Sequence, residues 1–497
     1  MSARRIELIA VIFMAMFLLE GGGLFYWQVI RSSDLNKRYI LNEENAPVRG
    51  KIYDRFGRTL VINELKYSVF ADPSLIKDPI DVGRKLNKIL GNREDYKIRL
   101  SRDKRFVWIA RKLDKKDAED ILAIDRNAFF IRQEYKRIYI DQEIPDILGG
   151  VDIDNNGLSG VELTMNDVLK EGKDVYLSID SALQSKIEEL LLRSKSSIGF
   201  KRGIVIVLSP HTGEILALVN LPHIKDFAVQ DIFEPGSSLK PIVASIALEE
   251  DKVKMEDRFN CRPPFKISGV TIKDAPHSVS SYELNLKEII EVSSNIGMAQ
   301  VGLKIGTNLF YKYLYAFGFG HITGVELPNE TPGLFPRDIN LISLTQNSFG
   351  QGIGVSAIQL VSSYIPLANG GYLVGPTIIK RERIDSIKQV ISTVTAKKIT
   401  ELLISVVKEG TGKKASIEGM EIAGKTGTAQ KVINGCYSNE KGIMSFIGYL
   451  PALSPKYIIG VILDEPNSSR WASDTAAPLF KEIAKMLLYG EYIRGEG

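Results

Sequence analysis

Ser237 and Lys240 stand three residues apart in FEPGSSLKPIVASIALEE. On a helix that spacing puts a hydroxyl and an amine one turn apart on the same face. Pro235-Gly236 stops the segment before, Ser237 opens the helix, and Pro241 falls in its first turn, where a missing amide costs little. An alcohol attacks an amide at neutral pH only with a base to take its proton. The four histidines, His211, His223, His277 and His321, read as solvated loop residues and form no metal pattern. Lys240 can be the base if burial on the apolar helix, and a second cation nearby, hold its amine partly neutral. Lys425 in EIAGKTGTAQKVI supplies that cation and stays charged to attract an anion.

Three further groups complete an acyl-transfer site. Ser293, in IIEVSSNIGMAQVGL, is placed to relay the proton to a leaving amine, and Asn295 offers a donor and an acceptor to a peptide backbone. Gly424 and Gly427 bracket Lys425-Thr426 and let a substrate lie against that strand as an added one. The backbone amides of Ser237 and Thr428 are the expected oxyanion hole, and the Thr426 and Thr428 hydroxyls the expected hold on a terminal carboxylate. Ser-x-x-Lys also occurs at Ser74/Lys77 and Ser101/Lys104. The first lies between prolines and the second opens a charged stretch entering a strand, so neither starts a buried helix.

The stretch GMEIAGKTG also fits a nucleotide phosphate loop, Gly419-x-x-x-x-Gly424-Lys425-Thr426, with Asp464-Glu465 ending a later apolar strand as a magnesium-holding strand would. Such a loop needs a buried strand before Gly419 and a helix springing from Thr426, because helix amides receive the phosphate. Here KEGTGKKASIEG is too charged and glycine-rich for the first, and GTAQKVINGC reads as strand and Asn-Gly turn. Only 70 residues follow Gly427, too few for the rest of a nucleotide-binding sheet.

The elements that must position these groups suggest an α+β domain. A strand and amphipathic helix (DVYLSIDSALQSKIEELLLRSKS) precede the hairpin GIVIVLSPHTGEILALVN. A mostly helical span runs to about residue 415, and late strands then meet the hairpin in one antiparallel sheet flanked by helices. Residues 31–175 alternate short strands with charged helical stretches, as an elongated mixed module. At 497 residues the chain can bury more than one core, and a net charge of +4 implies no nucleic-acid surface. Cys261 and Cys436 cannot make a disulfide framework or a zinc site; two unlinked thiols are favoured over a pair.

Residues 8–30 are apolar and long enough to cross a hydrocarbon layer of ~30 Å. With Arg4 and Arg5 before them and no small-residue cleavage site after, they read as an uncleaved anchor with its amino terminus in the cytoplasm. Glu20 inside that span costs about 2.5–3.5 kcal/mol at mid-bilayer and reads either as a contact with a partner's helix or as a shallow site. The divisions expected are a cytoplasmic tail (1–7), the anchor (8–30), a pedestal (31–175), a catalytic domain (176–490) and a tail (491–497).

With EPGSSLKP, SSN, SFGQG (348–352), ANGG (368–371) and AGKTGTAQK, the chain resembles the class B penicillin-binding proteins, monofunctional D,D-transpeptidases of the bacterial cell wall. RGKIYDRFG (49–57) and GLSGVE (157–162) match elements of that family's pedestal; KRIYI (136–140) lacks the proline of a third. The resemblance implies a serine β-lactamase-like domain with a five-stranded antiparallel sheet, an acyl-enzyme on Ser237, release of D-alanine from a pentapeptide stem, and cross-linking by an acceptor amine. β-Lactams would acylate the same serine. For Arg49, Gly50, Asp54, Arg55 and Glu162 it implies a role holding pedestal to catalytic domain, with a purely structural salt bridge as the alternative. It implies no cofactor, no metal and no glycosyltransferase module, so sugar polymerisation falls to an FtsW- or RodA-type membrane partner met by anchor and pedestal. DIFEPGSSLKP and VTIKD (270–274) look most like the septal, FtsI-type branch, although the loop between LVNLPH and DIFEPG is short for it. An elongation-type enzyme, a carboxypeptidase, a β-lactamase, a β-lactam sensor and a divisome scaffold are the competing readings.

Overall fold

The computed structural model describes Met14 and residues 47–91, 95–100, 105–140, 144–275, 281–336, 340–384, 387–433 and 435–493. Apart from Met14, the expected anchor at 8–30 lies outside the described residues, as does His277. Among the described residues no helix is long and apolar enough to cross a membrane.

The first module is built on one long strand. β1 (Ile52–Tyr53), β2 (Thr59–Ala71), α1 (Pro79–Leu90), β3 (Val107–Leu113), α2 (Lys115–Leu122), β4 (Phe129–Tyr139) and β5 (Val175–Tyr176) follow in order. β4 pairs antiparallel along one edge of β2, and β1 and β3 share the other. Because strand side chains alternate, Val69, Ala71, Val107, Ile109 and Phe129 point together into a core that α1 and α2 close with Leu86 and Ile121. Asp78 starts α1 by accepting the amides of Ile80 and Asp81, and Gly91 ends it in the left-handed region. β5 pairs parallel with β1, while the next residue, Leu177, bridges to Ile379. The chain therefore leaves the pedestal sheet and joins the catalytic half within one residue.

Buried ion pairs and hydrogen bonds hold this region, and they divide the pedestal residues into two groups. Glu162 is fully buried inside the pedestal. Its carboxylate accepts Arg49 Nε at 2.8 Å on one oxygen and Arg137 Nε at 2.6 Å on the other. Gly50 donates its amide to Leu169 O at 2.7 Å and accepts Arg137 Nη1 at 2.6 Å. Arg49, Gly50 and Glu162 thus tie the pedestal to itself. Arg137 completes the cluster from KRIYI, on a regular strand that dispenses with the missing proline. Asp54 and Arg55 do cross the junction: Ser181 Oγ donates to Asp54 at 2.8 Å, and Arg55 N to Ile179 O at 2.9 Å. Removing Glu162 strands two buried guanidinium groups. Glu162→Ala is expected to destabilise the pedestal by about 3–5 kcal/mol, seen as a lowered denaturant midpoint; an unchanged midpoint rules the arrangement out as a source of stability.

His223 is an exposed loop residue, as expected, but it is held by two carboxylates. Its ring joins Asp146 of the pedestal, at 3.0 Å, to Glu188 of the catalytic half, at 2.8 Å. Hydrogen bonding first to Asp146 and then to Glu188 lifts its pKa to about 10, so it is a charged strut across the junction.

The catalytic half is a sheet covered on both faces. α3 (Ser181–Ile198) leads into β6 (Arg202–Leu208) and β7 (Ile215–Leu221); α4 (Lys240–Glu249), α5 (Leu286–Val292), α6 (Asn295–Ile305) and α7 (Thr393–Lys408) follow. β8 (Ala423–Ile433), β9 (Cys436–Leu450), β10 (Tyr457–Asp464) and α8 (Ala476–Ile493) close the domain, and α8 runs three residues past the expected boundary at 490. The order β8-β9-β10-β6-β7 is antiparallel throughout, with β8 at the edge. Ile204, Ile206 and Leu208 face the core with α4 and α7; Val205 and Val207 face the core with α3 and α8. Burial on both faces is why these strands read as continuous apolar runs. Cys261 is buried, Cys436 exposed, and both are free.

Candidate active site

Ser237 sits in a single 3-10 turn, Gly236–Leu239, and the α-helix begins only at Lys240. The expectation of one continuous α-helix is corrected here, and the difference favours the chemistry. In a 3-10 turn side chains at i and i+3 eclipse, so Lys240 stands in line with Ser237. The turn is set by Gly236 at φ +54°, whose amide donates to Gly350 O at 3.0 Å and whose Cα faces the Thr428 carbonyl closely. The SFGQG segment and β8 therefore clamp the nucleophile's turn from two sides. Tyr364, fully buried, adds a hydrogen bond of 2.6 Å to Ser238 O.

The two lysines meet at Ser293. Lys240 Nζ donates to Ser293 O at 2.6 Å and Asn295 Oδ1 at 2.8 Å, and lies 3.3 Å from Ser293 Oγ; Lys425 Nζ donates to the same Oγ at 2.9 Å. Both amines are fully buried, behind a cleft of about 580 Å³. Ser237, Ser293, Asn295, Thr426 and Thr428 line it. Burial lowers the Lys240 pKa to about 7, against the opposing pull of Asp274. Burial also holds Lys425 well below the ordinary lysine value, with Lys240 pushing the same way. Depression of Lys240 is thus chiefly desolvation. The two buried amines meet at one hydroxyl, so their titrations are coupled and burial disfavours the charged form of both.

A neutral amine has two protons and one lone pair. With its protons directed to Ser293 O and Asn295 Oδ1, a neutral Lys240 retains one lone pair, and among the described residues no hydrogen bond joins it to the Ser237 hydroxyl. Asn295 is more committed than expected, since its Oδ1 serves Lys240 and its Nδ2 donates to Lys273 O at 3.1 Å. One amide proton is left for a substrate. Thr426 Oγ1 shares a 2.7 Å hydrogen bond with Thr411 Oγ1, and Thr428 Oγ1 accepts Ala472 N at 3.4 Å.

Gly427 has a different reason from the one expected. A Cβ there would lie 2.3 Å from Ser445 Oγ and 3.0 Å from Ser238 Oγ, inside the domain rather than toward the cleft. A Cβ at Gly424 would likewise strike the Phe446 ring at 2.6 Å. These glycines let the nucleophile's turn and the sheet's own rings approach β8. No helix starts at Thr426: Ala423–Ile433 is one strand, and Asp464 pairs with Arg202 and Lys431. The phosphate-loop reading fails on both counts.

Asp274, the last residue of VTIKD, organises the segment that carries Ser293. Its carboxylate accepts Ser294 Oγ at 2.7 Å, Ile296 N at 2.9 Å and the Asn295 amide. A negative charge on these first amides suits the start of α6. The contacts hold Ser293 at φ +61° between α5 and α6, with Oγ toward both amines. No spacing rule links an aspartate to a helix start about twenty residues on, across a loop. Asp274→Asn is expected to slow acylation by roughly 10²-fold through misplacement of Ser293 and Asn295. It also removes a charge that supports the Lys240 ammonium, so the pH midpoint of acylation moves to lower pH. A midpoint that stays or rises contradicts this role.

Residues 203–485 match the family described as Penicillin binding protein transpeptidase domain, and residues 44–189 the Penicillin-binding Protein dimerisation domain. A "Probable peptidoglycan D,D-transpeptidase PenA" of Neisseria meningitidis is 30% identical, over 96% of this chain and 91% of that protein. Stage V sporulation protein D of Bacillus subtilis is also 30% identical, over 97% and 85%. Penicillin binding protein 3 of Mycobacterium tuberculosis, solved complexed with aztreonam, superposes with a TM-score of 0.72 at 25% identity, covering 90% of this chain and 97% of that one.

Proposed function

Because the chain belongs to the class B penicillin-binding proteins and is a peptidoglycan D,D-transpeptidase, we propose that it cross-links septal wall from the outer face of the cytoplasmic membrane, anchored by residues 8–30. The catalytic residues on this reading are Ser237, Lys240, Ser293, Asn295 and Lys425. Ser237 Oγ attacks the carbonyl of the penultimate D-alanine while Lys240 takes its proton. The amides of Ser237 and Thr428 receive the oxyanion, and Thr426, Thr428 and the charge shared by the lysines hold the terminal carboxylate. The C–N bond to the last D-alanine breaks as its amine gains a proton through Ser293. An acceptor amine from a neighbouring stem then attacks the ester, returns its proton along the same path and frees the serine.

The observation that carries this reading is the Ser293 hydroxyl bridging two buried amines, in the cleft that Ser237 also lines. DIFEPGSSLKP and VTIKD support the septal role, and membership of the family supports an FtsW- or RodA-type partner at anchor and pedestal. Purified protein given a pentapeptide donor and an acceptor amine is expected to release D-alanine and form the cross-linked dimer. D-Alanine without dimer identifies a carboxypeptidase, and penicillin turned over within seconds a β-lactamase. A fluorescent fusion at midcell supports septation; one along the side wall replaces it with elongation.

A further inference from the structure

The direction of β8 past Ser237 fixes how an acyl donor lies. A peptide's terminal carboxylate is drawn to the Lys425 end, where the Thr426 and Thr411 hydroxyls meet. Its scissile carbonyl sits level with Ser237 and Thr428, so the residues before that carbonyl continue along β8 toward Gln430. Glu440 and Lys441 of β9, and the loop at 467–475 carrying Arg470 and Trp471, wall that end of the cleft. The loop is pinned. Asn467 and Ser468 donate their amides to Ile198 O at 3.1 and 3.0 Å, Ser469 Oγ donates to Asp474 at 2.9 Å, and Lys414 reaches Asp474 at 2.8 Å.

Arg470 is exposed, lies 5.3 Å from the centroid of the Trp471 ring, and pairs with no carboxylate among the described residues. Its neighbours are occupied: Lys431 by Asp464 and Glu465, and Lys441 by Glu465. A planar guanidinium backed by an aromatic ring is preorganised for a carboxylate. Glu440 pairs with no cation among the described residues and suits an ammonium.

We propose that Arg470 selects the donor stem by its third residue, a diamino acid whose side chain ends in both a carboxylate and an ammonium, Arg470 taking the first and Glu440 the second. The inference rests on the transpeptidase reading above. The test is the kcat/KM for D-alanine release by the full-length protein with excess acceptor amine. Three pentapeptide donors are compared, differing only at that side-chain end: free carboxylate with ammonium, carboxamide with ammonium, and the plain ammonium of lysine. The free-carboxylate donor is expected to lead the other two about fivefold. Arg470→Ala levels the three, and Arg470→Glu turns the preference toward lysine. Equal rates in the unmodified protein, or a preference that survives Arg470→Ala, overturn the assignment. Penicillin acylation of Ser237 in the unmodified protein reads the underlying chemistry separately. Its absence overturns the transpeptidase reading; its presence with equal donor rates overturns only the role of Arg470.

Discussion

Ser237→Ala is expected to lose covalent labelling by fluorescent penicillin altogether, a fall of about 10⁶-fold in acylation, as is usual when a nucleophile of this kind is removed. Three hydroxyls near the turn are engaged elsewhere. Ser293 Oγ is held between the two amines, Ser238 Oγ donates to Pro235 O, and Thr426 Oγ1 is tied to Thr411. Ser237 is only half-buried at the cleft wall, so its loss leaves the core unchanged and the melting temperature is expected to move little. Labelling that persisted in the variant would place the acyl-enzyme on another residue. Unlabelled wild-type protein would remove the enzyme and leave a scaffold.

Lys240→Ala comes second, with acylation expected to fall about 10²–10⁴-fold, the usual contribution of a positioned general base. The variant also leaves Ser293 O and Asn295 Oδ1 without their donor, and it removes the like charge that adds to burial in holding the Lys425 pKa down. Lys240→Arg is the sharper control. It keeps a long cationic chain but has no accessible neutral form, so it is expected to be as inactive as alanine. In the wild type the acylation rate should follow the neutral fraction of Lys240. A base is useful only when deprotonated, so the rate is nearly level above a midpoint of about 7 and falls about tenfold per pH unit below it. A flat profile through that range, or Lys240→Arg retaining activity, would move the base elsewhere.

The hairpin at 203–221 and the strands after 423 were legible because apolar runs bounded by turn residues leave few alternatives to paired strands. Their union in one antiparallel sheet followed from having strands at both ends and helices between. The same reasoning placed Lys425 on an edge strand, which the order β8-β9-β10-β6-β7 bears out. It misjudged local geometry where packing decides. Gly236, clamped by Gly350 and β8, tightens the start of the helix into a 3-10 turn that no propensity would indicate. Gly424 and Gly427 were assigned to substrate because glycine in a strand signals a close approach. The approach is real, but the neighbours are Phe446, Ser445 and Ser238. The exposure of His223 was legible, but its pairing was not, because a histidine after a proline says nothing of two carboxylates arriving from distant segments.

Residue types and their spacing determined, by themselves, that a serine, an amide and two amines belong to one acyl-transfer site, because few combinations of side chains can activate an alcohol without histidine. Tertiary structure alone decided how those groups share their protons. Desolvation depends on everything packed around an amine, and the Asp274 carboxylate that orients Ser293 and Asn295 reaches them across a loop. Charge and burial act through space over a few ångströms, and distance along the chain does not measure them.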